Sequence, residues 1–414
     1  MTAFHFPPAA ASSGIQRTLR FVQHLPSFGW APVVLTAHPR AHERIDPALL
    51  SDVPPGVRVV PTFALDAARH LSIRGRYPAF LARPDRWWSW RHGAVSAGMR
   101  LLRSERFDVL WSTYPIATAH SIGASLHART GVPWVADFRD PMAQDGYPAD
   151  PSTWRCFKAI EEHAIEHAAR VVFTTPGAAQ TYRERYPAVP PDRIVVIENG
   201  YDEESFDASS SLTGRDEPLV AGALTLLHSG VVYPSERDPT QLMHALATLK
   251  RDGVVTASTF RMRFRASGHD ALIADRARAA DVSDLVELCP PIPYRQALSE
   301  MLRADALVVM QASNCNAQVP AKLYEYLRAR RPVLALTDPA GDTAHVVLRS
   351  GIAAVAALDS AADMARLIAH FVADAARRTQ WLPADEAVRQ SSRRARAAEL
   401  AALLDGLARQ PVAS

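Results

Sequence analysis

The residues whose types and spacing could do chemistry fall in three places. The first is the stretch from Gln318 to Thr337, QVPAKLYEYLRARRPVLALT. Lys322 and Glu325 stand three apart, which makes them neighbours on one helix face, while Leu323 and Leu327, four apart, share an inward face. A cation and a carboxylate then sit on the first turns of a helix whose positive end suits phosphate. Read alone, Lys322, Glu325 and Arg328 also make a solvated ladder of ion pairs. The second place is Asp137-Phe138-Arg139-Asp140-Pro141, where two carboxylates and a guanidinium suit sugar hydroxyls or a developing positive charge. Its plain alternative is a structural corner in which Arg139 pairs with one aspartate. The third is Gly14, which lets backbone N–H groups approach an anion, or simply makes a turn.

These groups need elements to hold them. Around Lys322, Pro320 suits the first position of a helix, Pro332 stops it, and Val333 to Leu336 reads as a short buried strand. Before Gly14 only Thr2 to Phe6 is available as a strand; Ile15 to Leu25 follows as a helix and Ala31 to Leu35 as a strand. Further strands read at Val57 to Pro61, Val109 to Ser112, Pro133 to Ala136, Val171 to Thr174 and Ile194 to Ile197. Helices read at Ala94 to Leu102, His120 to His127, Ala159 to Ala169 and Ala178 to Arg185. This alternation predicts a doubly wound parallel sheet, with Asp137 to Asp140 at a strand's carboxyl end, where such sheets place their sites. Leu65 to Trp90, rich in Arg and Trp, reads either as packing or as a cover at an apolar–polar boundary.

The polar run to Pro218 reads as a linker, and a second α/β run starts at Leu219. Its strands read at Leu224 to His228, Arg261 to Ala266 (ending in Ser267-Gly268), Leu285 to Leu288 and Ala306 to Met310. Helices read at Pro239 to Lys250, Tyr294 to Arg303, Ser360 to Arg377 and Arg393 to Leu407. The expected division is an N-terminal domain over 1–204, a linker over 205–218, a C-terminal domain over 219–380 and a helical segment over 381–414.

At 414 residues the chain exceeds one ordinary core, and 48% apolar with 21% charged residues is a globular composition. A net charge of +3, with no aromatic-interleaved basic run, gives no reason to expect a nucleic-acid partner. No apolar run reaches the roughly 18 residues of a membrane span, and no signal-peptide core opens the chain. The expected location is cytoplasmic, with weak contact to the inner face of an anionic membrane allowed by the charge. Cys156, Cys289 and Cys315 have no metal or disulfide spacing and read as buried fillers. Only three of the 46 basic residues are lysines, so Lys322 stands out against an arginine background.

The segments FPPAAASSGIQR, PDRWWSW, VPWVADFRDP, VIENGYDEESF, LLHSGVVYPSERDP and VPAKLYEYLRARRPVLAL, in this order, resemble the glycosyltransferase family 4-like group. That resemblance spans nearly the whole chain and implies the GT-B fold, two Rossmann-like domains facing a cleft. The first domain would bind the acceptor and the second a nucleotide-sugar. It implies that Glu325 holds the nucleotide ribose, that Arg237 and Lys322 neutralise the departing diphosphate, and that Gly14, Gly230, Gly268 and Val319 complete the donor set. Asp137, Arg139 and Asp140 would position hydroxyls, with Asp140 the candidate for a side-chain base. The first glutamate of the family's paired motif is replaced by Ala317, with Asn316 and Gln318 beside it as substitutes.

The implied reaction is retaining transfer to a glycan or lipid-linked acceptor in surface polysaccharide or glycolipid assembly. No cofactor is implied beyond the nucleotide-sugar co-substrate, and the lack of an Asp-x-Asp tripeptide agrees with metal-independent chemistry. The alternatives are a nucleotide-sugar 2-epimerase and a non-catalytic nucleotide-sugar-binding protein, because fold does not guarantee function. The final helix resembles the family's segment that returns to the N-terminal domain.

Overall fold

A computed structural model describes residues 1–10, 14–210, 217–374 and 381–409. The chain divides into two compact units, Met1–Glu198 with Arg393–Ser414, and Asn199–Ser392.

The first unit contains α1 (Gly14–His24), β1 (Val33–Ala37), β2 (Arg58–Thr62), α2 (Ala67–His70), α3 (Trp90–Ser104), β3 (Leu110–Thr113) and α4 (Ala117–Thr130). Then come β4 (Trp134–Arg139), α5 (Pro151–His167), β5 (Arg170–Phe173), α6 (Pro176–Arg185) and β6 (Ile194–Val196). β1 pairs with β2, and β3, β4, β5 and β6 run side by side, all parallel. Met1 to Ala3 bridges the two sets: Thr2 N donates to Trp111 O at 2.7 Å and Ala3 N to Leu35 O at 3.1 Å. The expected first strand is therefore cut to its opening residues. Pro7 and Pro8 follow closely, and their nitrogens have no hydrogen to give a ladder. Phe4 and Phe6 fill the core instead.

Local chemistry explains the helices of this unit. Asp150 caps α5, its Oδ2 accepting from Thr153 N at 2.7 Å, with Pro151 behind it. Thr175 caps α6 in the same way, and Gly131, at φ 69°, closes α4. Trp90 is fully buried and Trp87 leans on Phe4 at 4.7 Å between ring centroids, so two of the three clustered tryptophans pack inward. The helix Arg393–Ala408 lays Ala397, Leu400, Ala401 and Leu404 against Phe21 and Leu25. Arg396 also donates to Glu198 Oε2 at 2.6 Å, and Trp30 Nε1 to Asp405 Oδ1 at 2.9 Å.

The second unit contains α7 (Glu203–Ser210), β7 (Leu224–Ser229), α8 (Thr240–Arg251), β8 (Phe260–Arg265), α9 (Asp270–Ala279), β9 (Val286–Cys289) and α10 (Tyr294–Arg303). It continues through β10 (Ala306–Gln311), α11 (Lys322–Ala329), β11 (Val333–Thr337), α12 (Asp342–Arg349), β12 (Val355–Ala356), α13 (Ala361–Ala373) and α14 (Asp385–Gln390). Its sheet is parallel in the order β12-β11-β10-β7-β8-β9. That is the doubly wound order in which neighbours of the first strand run off in opposite directions, leaving a switch point between β7 and β10.

Two boundaries differ from the sequence reading. The first residues of the expected 205–218 linker belong to α7, where Phe206 is fully buried, and 211–216 lie outside the described residues. Residues 381–392 stay with the second unit, because Trp381 and Val388 join its core.

Candidate functional site

In the first unit the chemistry gathers where β4 ends. Asp137 is fully buried. Arg17, one turn into α1, grips it through Nη2 to Oδ1 at 2.9 Å and Nε to Oδ2 at 3.0 Å, while Thr113 Oγ1 donates to Oδ2 at 2.8 Å. The same guanidinium donates to the carbonyls of Ile197 and Glu198 at 3.0 and 3.2 Å. This ties α1 to the ends of β3, β4 and β6. The corner anticipated for Arg139 is thus built by Arg17, which engages both oxygens of the buried Asp137.

Arg139 stands on a β-bulge at φ 64°, a region few non-glycine residues adopt. Its carbonyl accepts from Thr174 N and Oγ1, both at 2.9 Å, which holds the turn. Its Nε is buried without a partner among the described residues, and burial lowers its pKa. Asp140 is solvent-exposed yet densely surrounded: desolvation raises its carboxyl above the usual range, and the Arg139 and Arg17 charges pull it back. Behind it the loop is pinned by Glu161, fully buried, which accepts from Ala143 N at 2.9 Å, from Arg185 at 2.9 Å and from the hydroxyl of Tyr182. Gly14 is the buried first residue of α1, and residues 11–13 before it lie outside the described residues.

In the second unit the groups meet at the carboxyl end of β7, beside the switch point. His228 Nδ1 lies 2.9 Å from Val308 O, a carbonyl that can only accept, so the proton is on Nδ1. Burial holds the ring neutral, with the charge of Lys322 as a second cause. Its Nε2 lone pair then faces Lys322 Nζ at 3.3 Å. Gly230 follows at φ 115°, where a Cβ would stand 2.7 Å from Lys322 Nζ. Lys322 therefore lies against bare backbone, and burial, with Arg237 adding to it and Glu325 opposing it, brings its pKa to about 7.

Arg237 packs its guanidinium over Tyr233 at 5.2 Å and donates to Val231 O at 2.9 Å. Gly268, at φ 70°, borders the same loop, a Cβ there lying 3.5 Å from Val231 Cγ1. Glu325 is half-buried and accepts from the exposed Tyr294 hydroxyl at 2.7 Å. Arg328 of the expected ladder pairs with Glu203, its Nε donating at 2.7 Å. Val319 packs on the core. Asn316 is held by Asp338, its Nδ2 donating at 2.7 Å, and its Oδ1 is buried without a partner among the described residues.

The structure thus brings Lys322, Arg237, Gly230, Gly268 and Glu325 together in one unit, and Asp137, Arg139 and Asp140 in the other. Sequence reasoning missed Arg17, His228 and Glu161. The first two lay within the quoted segments, as the arginine ending FPPAAASSGIQR and the histidine of LLHSG, while Glu161 carried no signal. Among the described residues no group of three or more His, Cys, Asp or Glu is arranged to hold a metal ion, and no helix is long and apolar enough to cross a membrane.

Residues 13–200 match the family model described as a glycosyl transferase 4-like domain. D-inositol 3-phosphate glycosyltransferase from Thermobispora bispora is 27% identical over 222 residues, 50% of each chain. The chain spans about half the length of the curated relatives it matches. Among solved structures, sucrose-phosphate synthase from Thermosynechococcus elongatus is similar with a TM-score of 0.66 at 17% identity over 98% of both chains. HepE from Anabaena, solved with UDP and glucose, gives 0.63 at 13% over 98% of this chain and 99% of that one.

Proposed function

We propose that the protein is a retaining glycosyltransferase, from two premises: residues 13–200 match the glycosyl transferase 4-like domain model, and the fold is the GT-B fold of the similar solved structures. In this reading it moves a sugar from a nucleotide-sugar to a glycan or lipid-linked acceptor in surface polysaccharide or glycolipid assembly, in the cytoplasm at the inner face of the membrane. The observation that carries it is the pair of cations at the carboxyl end of β7, Lys322 steered by His228 against Gly230, with Arg237 beside it.

A departing nucleoside diphosphate gains negative charge as the bond to the sugar's anomeric carbon breaks, and fixed cations stabilise that charge most in the transition state. The acceptor hydroxyl attacks the same face, and its proton passes to the leaving phosphate oxygen, so no protein nucleophile is needed. Glu325 accepts from the ribose hydroxyls. Asp140, its pKa raised by desolvation, is the side chain suited to share the acceptor's proton.

Ala317, where the family carries a sugar-orienting glutamate, favours a second reading as a nucleotide-sugar-binding protein without transfer. A thermal-shift screen against UDP, GDP, ADP and their sugars identifies the donor, and product analysis with acceptors then separates the readings. Glu325→Ala is expected to weaken nucleoside diphosphate binding roughly tenfold by calorimetry. Unchanged affinity removes the ribose role, and binding without transfer or donor hydrolysis leaves the second reading.

A further inference from the structure

The first unit holds a cavity of about 590 Å³ between α4, α5, the first turn of α3 and the segment preceding it. This is within the size range of small-molecule pockets. Trp88, Ala124, Cys156 and Ile160 supply apolar wall, Arg83 and Arg91 supply cations, and among the described residues no carboxylate lines it. Arg91 Nη2 donates to Ser125 Oγ at 3.0 Å, which lays it along α4, and Arg83 stands 3.5 Å from the exposed Asp150 outside the wall.

His120 also lines the cavity, from the first turn of α4. It is fully buried, and its Nε2 has no hydrogen-bond partner among the described residues. The ring proton can be placed from its neighbours. Trp134 Nε1, which can only donate, gives its hydrogen to Ser112 Oγ at 2.8 Å. The hydroxyl hydrogen of the fully buried Ser112 then finds its acceptor in His120 Nδ1, 2.8 Å away. Burial keeps the imidazole neutral, its pKa brought down to about 3, so the remaining hydrogen is on Nε2. Gly123 lets this relay close, since a Cβ there would lie 2.5 Å from Trp134 Nε1. The result is a fixed N–H donor at a cationic, largely apolar cavity, and a buried donor without an acceptor is destabilising until an oxygen meets it.

We propose that this cavity binds an organic oxyanion with an apolar body, a phosphate or a carboxylate, whose oxygen accepts from His120 Nε2–H while Arg83 and Arg91 balance its charge. The apolar body lies on Trp88, Ala124 and Ile160. The site is independent of the transfer reading, because none of its lining residues belongs to the donor or transfer groups named above.

The half-buried Cys156 in the wall reports occupancy, because Cys289 and Cys315 are buried elsewhere. In the full-length protein, decyl phosphate or decanoate below micelle-forming concentration is expected to slow modification of Cys156 by a thiol reagent. Inorganic phosphate and decanol are expected to leave the rate unchanged. By calorimetry, Ala124→Phe, which fills the cavity, and His120→Phe, which keeps a ring against Phe138 but removes the donor, should each weaken decyl phosphate binding about tenfold or more. Thermal melting confirms that each variant is folded.

Unchanged labelling with decyl phosphate overturns the proposal, as does wild-type affinity in Ala124→Phe. Equal protection by inorganic phosphate would mean a free-anion site, and equal protection by decanol a purely apolar groove; either result also overturns it. Should His120→Phe fail to fold, nitrogen NMR of the unaltered protein decides. An Nε2-protonated ring whose signal moves with decyl phosphate supports the site, and an Nδ1-protonated ring overturns it.

Discussion

Lys322 lies against the lone pair of a neutral imidazole and the bare backbone of Gly230, so a phosphate that binds there draws a proton onto the amine. Its pKa near 7 is below the value of an unfolded lysine. Between about 7 and about 10.4 the unfolded chain therefore holds a proton that the ligand-free folded chain has lost, and stability rises with pH across that window. Below about 7 both forms are protonated and the cost of the buried charge applies in full. Nucleoside diphosphate affinity should accordingly fall as pH rises above about 7, with proton uptake visible as a buffer-dependent heat of binding. Lys322→Met should abolish both effects, and an affinity flat across that range would sink the assignment. Arg17 offers a sharper stability test. Arg17→Ala strands the buried Asp137 carboxylate and should cost about 3–5 kcal/mol in denaturant unfolding. A loss under about 1 kcal/mol would contradict the corner described for it.

At the level of elements, α11 is placed by its buried face of Leu323, Tyr324, Tyr326 and Leu327. Tyr326 adds direction to that packing: its hydroxyl accepts from Ser229 N at 2.9 Å, joining the helix that carries Lys322 to the end of the strand that carries His228. Tyr326→Phe leaves a buried N–H unpaired and should cost about 1–3 kcal/mol by urea unfolding. It should also weaken nucleotide binding, because Lys322 and His228 lose their shared support; unaltered stability would show that the contact carries nothing. The same reasoning explains how legible this element was. The period of Leu323 and Leu327 and the stop at Pro332 marked a helix followed by a strand, which the structure bears out as α11 and β11. The start moved from Pro320 to Lys322, where Ala321 offers no side-chain cap.

At the scale of the molecule, each unit has its own sheet and core, and the helix Arg393–Ala408 belongs to the first. Leu404 is buried beside Phe21 and Leu25. Leu404→Ala should remove about 2–5 kcal/mol from the first unit alone, seen in calorimetry as a lowered transition beside an unmoved one. A nucleoside diphosphate should raise only the other transition. One transition shifted by both treatments would show that the two cores unfold together.

The sequence by itself determined the two α/β halves, the helix carrying Lys322 and Glu325 and most of the alternation of helices and strands, because apolar period and turn chemistry are local properties; α9, α12 and β12 were left unread. Tertiary structure decided which groups are spoken for. Arg17 meets Asp137 across 120 positions and His228 meets Lys322 across 94, separations that no periodicity encodes. It likewise turned a polar stretch into α7 by burying Phe206, and set His120 at a cavity through Ser112 and Trp134. Strand ends converge only once the sheet is assembled. The chemistry of a carboxylate, an amine or an imidazole there depends on which neighbour reaches it first.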